Sequence, residues 1–253
     1  MGLLADFFKG MYYAVSSVRY LFLDGLKRYI ILPLLFNFGI FLTVAYLLYR
    51  FYFSYSAYYT AQLPAWLHFL QGAIWIILAL SFFLLFLSMF TILFNLIAAP
   101  FNGLLAEKAQ QLIFNTTIPS LSFSEIVIRT IKRQIQFLMY FMPRFIAMIL
   151  LFFVPFIHPI YPLLWFMFNA WILSMQYQDF VMDNNLIGFD EMKHLMAKSK
   201  MVSLGFGSVI NLASFVPVVN LIIMPSAVIG GTVLYGEQKK AEAGRDLLVL
   251  EHN

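Results

Sequence analysis

Two cations follow a glycine in Gly25-Leu26-Lys27-Arg28, directly before a long uncharged stretch. A helix start presents N–H groups without intrahelical acceptors and a positive partial charge, so two basic side chains there make a seat for an oxyanion. The same pair also reads as two snorkelling residues that mark a membrane boundary. A second group lies in Pro100-Phe101-Asn102-Gly103-Leu104-Leu105-Ala106-Glu107. Gly103 and Glu107 stand one helical turn apart, so a small residue and an acid share a face that another helix can approach closely. Further on, Glu125, Arg129, Lys132, Arg133 and Gln136 form a basic stripe at helical spacing. Glu107 can balance Arg129 or Arg133 there, because an unpaired carboxylate near lipid is expensive, or it can be an interfacial acid paired for solubility. A last group is the break at Pro217 and Asn220 with Met224-Pro225: freed backbone groups at membrane depth can bind ions or water along a route, or simply close a tight turn.

The elements that carry these groups are read from hydropathy. Of 253 residues, 62% are hydrophobic and 11% charged, where a soluble domain has roughly 25% charged. The apolar residues, 29 of them Phe, gather in long uncharged runs instead of alternating with polar ones, which implies an all-α integral membrane protein with the lipid bilayer as its partner. Residues 1–24 predict an amphipathic helix lying in the interface, with Leu4, Phe7, Phe8, Met11, Val15, Val18 and Phe22 on its apolar face. The runs over 29–50 and 71–102 are each long enough to span. Arg50 and the Tyr-rich segment after it read as an interfacial belt. Ser122-Phe-Ser-Glu125 is a capping box that starts a new helix.

Residues 145–177 and 204–235 each break at prolines into two short arms, and Phe153-Val154-Pro155 and Phe215-Val216-Pro217 occupy matching places. Both are expected to be helical hairpins that enter the membrane part-way and return, a fold tolerated where protein or water satisfies the turn, although ordinary tilted spans are the alternative. Asp179, Asp183, Asp190, Glu191, Lys193, Lys198 and Lys200 are expected to form a solvated mixed-charge connector, and the tail over 237–253 to fray. If the hairpins return to their own side, every Lys and Arg except Arg50 shares the side of the N-terminus, which makes that side cytoplasmic. The N-terminus lacks the cleavage pattern of a signal peptide, so its first residues are expected to remain.

Other chemistries have little in the sequence to carry them. There is no cysteine, so no disulfide or Cys-ligated metal is possible. His68, His158, His194 and His252 share no metal-ligand spacing, no phosphate-binding P-loop occurs, and no nucleophile–base pair is visible, so neither cofactor, metal nor catalysis is expected. A net charge of +4 is ordinary membrane topology and makes no case for nucleic acid.

At these same positions the chain resembles the CysZ family of bacterial sulfate permeases. The resemblance runs through Gly25-Leu-Lys-Arg28 to Leu32-Pro33-Leu34, Leu96-Ile-Ala-Ala-Pro-Phe-Asn-Gly-Leu-Leu-Ala-Glu107, Asp179 with Met182-Asp183-Asn184, and Pro217-Val-Val-Asn220 to Met224-Pro225 and Gly230. It covers roughly residues 10 to 236, and the twelve-residue stretch ending at Glu107 is its most specific part. It implies an inner-membrane protein with two long spanning helices and two partly inserted hairpins, importing sulfate for cysteine synthesis. It further implies that Gly25, Leu26, Lys27 and Arg28 bind sulfate. Lys27 stands where the family usually has Arg, which keeps the charge and loses the planar fork. On this reading Asn102, Gly103, Glu107, Arg129, Arg133 and Asn220 line the ion path, related oxyanions are possible ligands, and a homo-oligomer is expected because so few spans cannot surround a hydrated route. A non-transporting scaffold or regulator of another transporter is the competing class.

Overall fold

The computed structural model describes residues 2–62, 64–116, 118–119 and 122–251. The side chains of 34, 37, 57, 59, 60, 65, 88–99, 123, 217, 218, 220, 221 and 245–251 lie outside the described residues. The described elements are helical: α1 (Leu3–Ser16), α2 (Lys27–Ala61), α3 (Gln71–Phe114), α4 (Phe123–Phe152), α5 (Tyr161–Asn184), α6 (Phe189–Lys198), α7 (Lys200–Ser214) and α8 (Pro217–Glu251). Short 3-10 turns at Ser17–Phe22, Ala65–Leu70 and Pro155–Ile157 connect them. Pro33, Pro100, Pro143 and Pro225 all sit inside helices, so the interruption expected at Pro225 does not occur. Apolar helices tolerate such prolines because neighbouring groups satisfy the freed carbonyl.

The chain divides into two compact units, one of Met1–Ile30 with Pro100–Asn253 and one of Ile31–Ala99. The second unit is an antiparallel pair held by rings. Tyr52 donates to the Trp75 carbonyl at 2.9 Å, and its ring meets those of Trp75 and Phe82 edge-on. The Phe41 and Phe86 rings meet at 5.3 Å. Its outer surface is apolar, with Phe38, Leu42, Ile76, Leu80 and Phe83 among the exposed side chains, as lipid contact requires. The tyrosine belt after Arg50 belongs to α2, which continues to Ala61.

Glycine holds the first unit together. A Cβ on Gly10 of α1 would overlap the Val202 carbonyl of α7, and one on Gly205 of α7 would overlap the Phe7 carbonyl of α1, so the two helices cross backbone to backbone. Gly207 lies equally tight on Ala170 of α5, and Gly231 of α8 lies against Tyr177 of α5. Around these crossings Phe206, Ile210, Met175, Val181, Val228, Ile229 and Leu234 make the core. Helix α1 therefore turns its small residues Gly10 and Ala14 inward and its bulky Leu4, Phe8, Tyr12 and Val15 outward, and the following turn buries Ser17 and exposes Phe22. Of the expected apolar face Leu4, Phe8 and Val15 are exposed while Phe7 and Met11 are half-buried, and the small-residue side is docked on protein.

Several boundaries differ from those expected. The capping box forms, with Ser122 N–H donating to Glu125 Oε2 at 2.8 Å and Glu125 N–H to Ser122 Oγ at 3.4 Å. From it α4 runs 30 residues to Phe152, so the arms of the first hairpin are far longer than its apolar stretches. The first proline break falls at 153–160, and the second falls at Phe215-Val216, ahead of the expected Pro217–Asn220, because a proline is tolerated at the first position of a helix and 217–220 open α8. The tail from 237 continues α8 to Glu251. Among the described residues three segments, Lys27–Ser56, Trp66–Leu87 and Ser124–Phe152, are long and apolar enough to cross a membrane. This is an all-α membrane protein.

Candidate functional site

The Gly25–Arg28 segment is the entry to α2. Gly25 has φ +96, a left-handed conformation that lets the chain reverse there and that a Cβ would strain. Leu26 is fully buried and anchors the turn, its carbonyl accepting from Ile30 N–H as the first bond of the helix. Lys27 and Arg28 follow as the first two residues of α2, both exposed. Arg28 lies over the Tyr29 ring at 4.8 Å and donates from Nη2 to its hydroxyl at 2.9 Å, which restricts the guanidinium. Lys27 Nζ is 3.5 Å from Asp24 Oδ1, an exposed pair that an anion can readily displace. Leu112 of α3 is the neighbour nearest Gly25, so the segment abuts the C-terminal half of α3.

That half of α3 meets the end of α5. Asn184 Nδ2 donates to the Gly103 carbonyl at 2.7 Å, joining two of the stretches that carried the family resemblance. Asn185 and Gln110 exchange two amide hydrogen bonds, at 2.8 and 3.1 Å. Immediately before Asn184, Asp183 takes Arg129 of α4 at 2.7 Å, and Arg129 also reaches the Asp183 carbonyl at 2.9 Å. One turn further back, Asp179 takes Arg133 at 2.6 Å, and Arg133 Nη1 donates to the Ile187 carbonyl at 3.1 Å. The turn at Leu186 presents that Ile187 acceptor: at φ 61 it follows α5 in a left-handed conformation, with Ile187 N–H bonded to the Met182 carbonyl at 3.0 Å.

Residues 179 to 185 are thus a hub between α3 and α4, and the reading of Asp179 and Asp183 as part of a solvated connector is corrected. They are helical, and Asp179 is only 8% exposed. Two carboxylates and two arginines repeat with the same four-residue spacing on facing helices, so each acid lies opposite one base.

Among the expected path residues, Arg129 and Arg133 come together on α4, Gly103 joins them through Asn184, and Asn102 is half-buried on α3. Glu107 does not pair with either arginine: it accepts from Gln111 at 3.2 Å on its own helix. Asn220 falls in the first turn of α8, and its side chain lies outside the described residues. Sequence reasoning missed the hub acids and Gln110, and the i,i+4 spacing of Asp179 with Asp183 against Arg129 with Arg133 was the signal available. Buried Arg129 Nε has no hydrogen-bond partner among the described residues, a donor left for an anion or water. Among those residues no group of three or more His, Asp or Glu is placed to hold a metal ion.

Comparison with known proteins places this arrangement in a family. A family model described as sulfate transporter CysZ/etoposide-induced protein 2.4 matches residues 13–225. The sulfate transporter CysZ of Pectobacterium atrosepticum is 38% identical over 230 residues, 89% of this chain and 84% of that protein. Those of Salmonella typhimurium and Pseudomonas fluorescens are 36% and 33% identical, covering 89% and 94% of this chain and 91% and 97% of theirs. With a family model matching most of its length and relatives this similar over nearly all of theirs, the chain belongs to the sulfate transporter CysZ/etoposide-induced protein 2.4 family.

Proposed function

We propose that this protein is a sulfate permease of the bacterial inner membrane, a multi-pass importer whose substrate feeds cysteine biosynthesis. The observation that carries the reading is the start of α2: two exposed cations on its first turn, behind a left-handed glycine and a fully buried leucine. The first-turn N–H groups of Lys27 and Arg28 have no intrahelical acceptor, and the two side chains are held only by exposed contacts to Asp24 and Tyr29, so a dianion can use both sets of donors. Sulfate is captured at Gly25, Leu26, Lys27 and Arg28. It passes a polar route that includes Asn102, Gly103, Glu107, Arg129, Arg133 and Asn220, with Arg129 Nε as a donor still to be satisfied. Family members named as sulfate transporters support the substrate.

In this reading α2 and α3 span, while α4–α5 and α7–α8 enter part-way and share a protected route with further copies of the chain in a homo-oligomer. Particle mass in nanodiscs measures the copy number, and an active monomer would overturn the shared route. Carrying two negative charges inward against about 100 mV costs roughly 4.6 kcal/mol, so uptake needs a maintained sulfate gradient or co-entering protons. The protein itself performs no covalent chemistry.

The deciding experiment is sulfate flux into liposomes containing this protein alone, with and without a proton gradient. Saturable flux is expected, and Lys27→Ala with Arg28→Ala is expected to abolish saturable binding in a chain that still extracts and folds. Wild-type liposomes without flux would instead favour a scaffold or regulator of another transporter.

A further inference from the structure

The end of α3 and the middle of α8 enclose a second place for an anion. A pocket of about 500 Å³ is lined by Gln110, Asn115, Asn185, Lys239 and Lys240 over the rings of Phe114 and Tyr235. No carboxylate lines it. The neighbouring cavity of about 930 Å³, which shares Asn185, Tyr235 and Lys239, sets Asp6, Glu191, Glu237 and Glu242 against Lys9, Lys198 and Lys239. An anion entering this end of the unit is therefore drawn to the smaller pocket and repelled from the larger.

The pocket is built. Gly236 lies flat on the Phe114 ring, which any Cβ there would overlap, so the floor depends on that glycine. Lys240 Nζ is held 4.8 Å over the same ring, and its pairing with Glu237 at 3.5 Å is long and exposed. The back wall is the Gln110–Asn185 amide pair. Asn185 spends both amide hydrogens on Gln110 and the Val181 carbonyl, whereas Gln110 spends one, which leaves it an N–H donor. Asn115, at φ 52, ends α3 at the rim.

We infer that this pocket is a second oxyanion seat, separate from Gly25–Arg28, taking a hydrated tetrahedral dianion between Lys239 and Lys240. The inference rests on the sulfate-permease reading and adds a site on the side where the N-terminus and nearly all basic residues lie. A seat wider than the bare ion holds it partly through water, and weak holding suits a site from which a permeating ion must leave.

The test is equilibrium binding of radiolabelled sulfate to the full chain in nanodiscs, with phosphate as competitor. Wild type is expected to bind at two classes of site. Lys239→Ala with Lys240→Ala should weaken one class about tenfold or more while leaving the class lost in Lys27→Ala with Arg28→Ala. Asn115→Asp, which adds a negative charge to the rim without touching either lysine, should weaken the same class. If phosphate displaces label from this class alone, the seat takes tetrahedral oxyanions generally; if it displaces neither, the seat is selective for sulfate. A single class, lost at Lys27 and Arg28 and untouched by the other variants, overturns the second seat and leaves the permease reading intact. No saturable sulfate binding by wild type overturns both.

Discussion

The two proline-broken hairpins, α4–α5 and α7–α8, look alike in hydropathy and are held by opposite means. Between α4 and α5 lie two arginine–aspartate pairs and a ladder of rings, with Phe141 on Phe168 at 5.9 Å, Phe145 on Trp165 at 6.1 Å, and Trp171 donating to the Tyr140 hydroxyl at 3.0 Å. Helices α7 and α8 instead contact their neighbours through Gly205, Gly207 and Gly231, backbone against backbone. Apolar burial drives little association among helices already solvated by lipid, so cohesion has to come from close packing or from polar pairs. The helices of the first hairpin use polar pairs and rings between themselves, whereas α7 and α8 use close packing, with α5 as the partner at Gly207 and Gly231. The glycine crossings fix where helices lie, and the ion pairs leave charge that a substrate can address.

The comparison breaks most severely at Gly207. A leucine there has no room, because the obstacle is the Ala170 carbonyl and not a movable side chain. Helix α7 would have to leave α5, and the loss should exceed the usual overpacking cost of about 1–3 kcal/mol. Gly207→Leu is expected to yield no monodisperse protein on size exclusion after extraction, while the same substitution at Gly72, where nothing stands within 4 Å of a Cβ, is expected to behave as wild type.

Next in size is the buried ion pair. Asp179→Ala leaves Arg133 buried without its charge partner, which should cost about 3 kcal/mol, read as a lower thermal midpoint. Asp179→Leu with Arg133→Met removes both charges and should recover most of that loss.

Much of this was legible in the sequence because a bilayer imposes long-range rules. The uncharged runs, the capping box at Ser122 and the breaks before Pro155 and Pro217 depend on local composition alone. What was not legible depends on partners distant in sequence. The expected interfacial helix α1 hides that Gly10 docks on α7 and that Ala14 is buried, because a small residue carries no hydropathy signal of its own. Asp179 and Asp183 look like solvent-facing acids until Arg129 and Arg133 are brought 54 and 46 residues back to meet them. The candidate anion seat at Lys27 and Arg28 was legible because a helix start and its cations are neighbours in the chain.

The smallest expected effect concerns Glu107, the acid that ends the most specific of the resembling stretches. Were it the counter-charge of the arginine stripe, Glu107→Gln would unmask positive charge, tightening sulfate binding and slowing flux. Its side chain instead accepts from Gln111 on α3, and each arginine already faces its own aspartate on α5. A neutral Gln keeps the acceptor oxygen for Gln111 and leaves both ion pairs in place. Sulfate affinity and flux are therefore expected to change less in Glu107→Gln than in Asp183→Asn, because the hydrogen bond to Gln111 and both ion pairs are kept. Asp183→Asn, which takes the charge partner from Arg129 beside its already unpartnered Nε, should show the tighter binding and slower release instead. Measuring both variants at matched protein density decides between the acids. A large change at Glu107 with none at Asp183 would move the counter-charge of the path from α5 to α3.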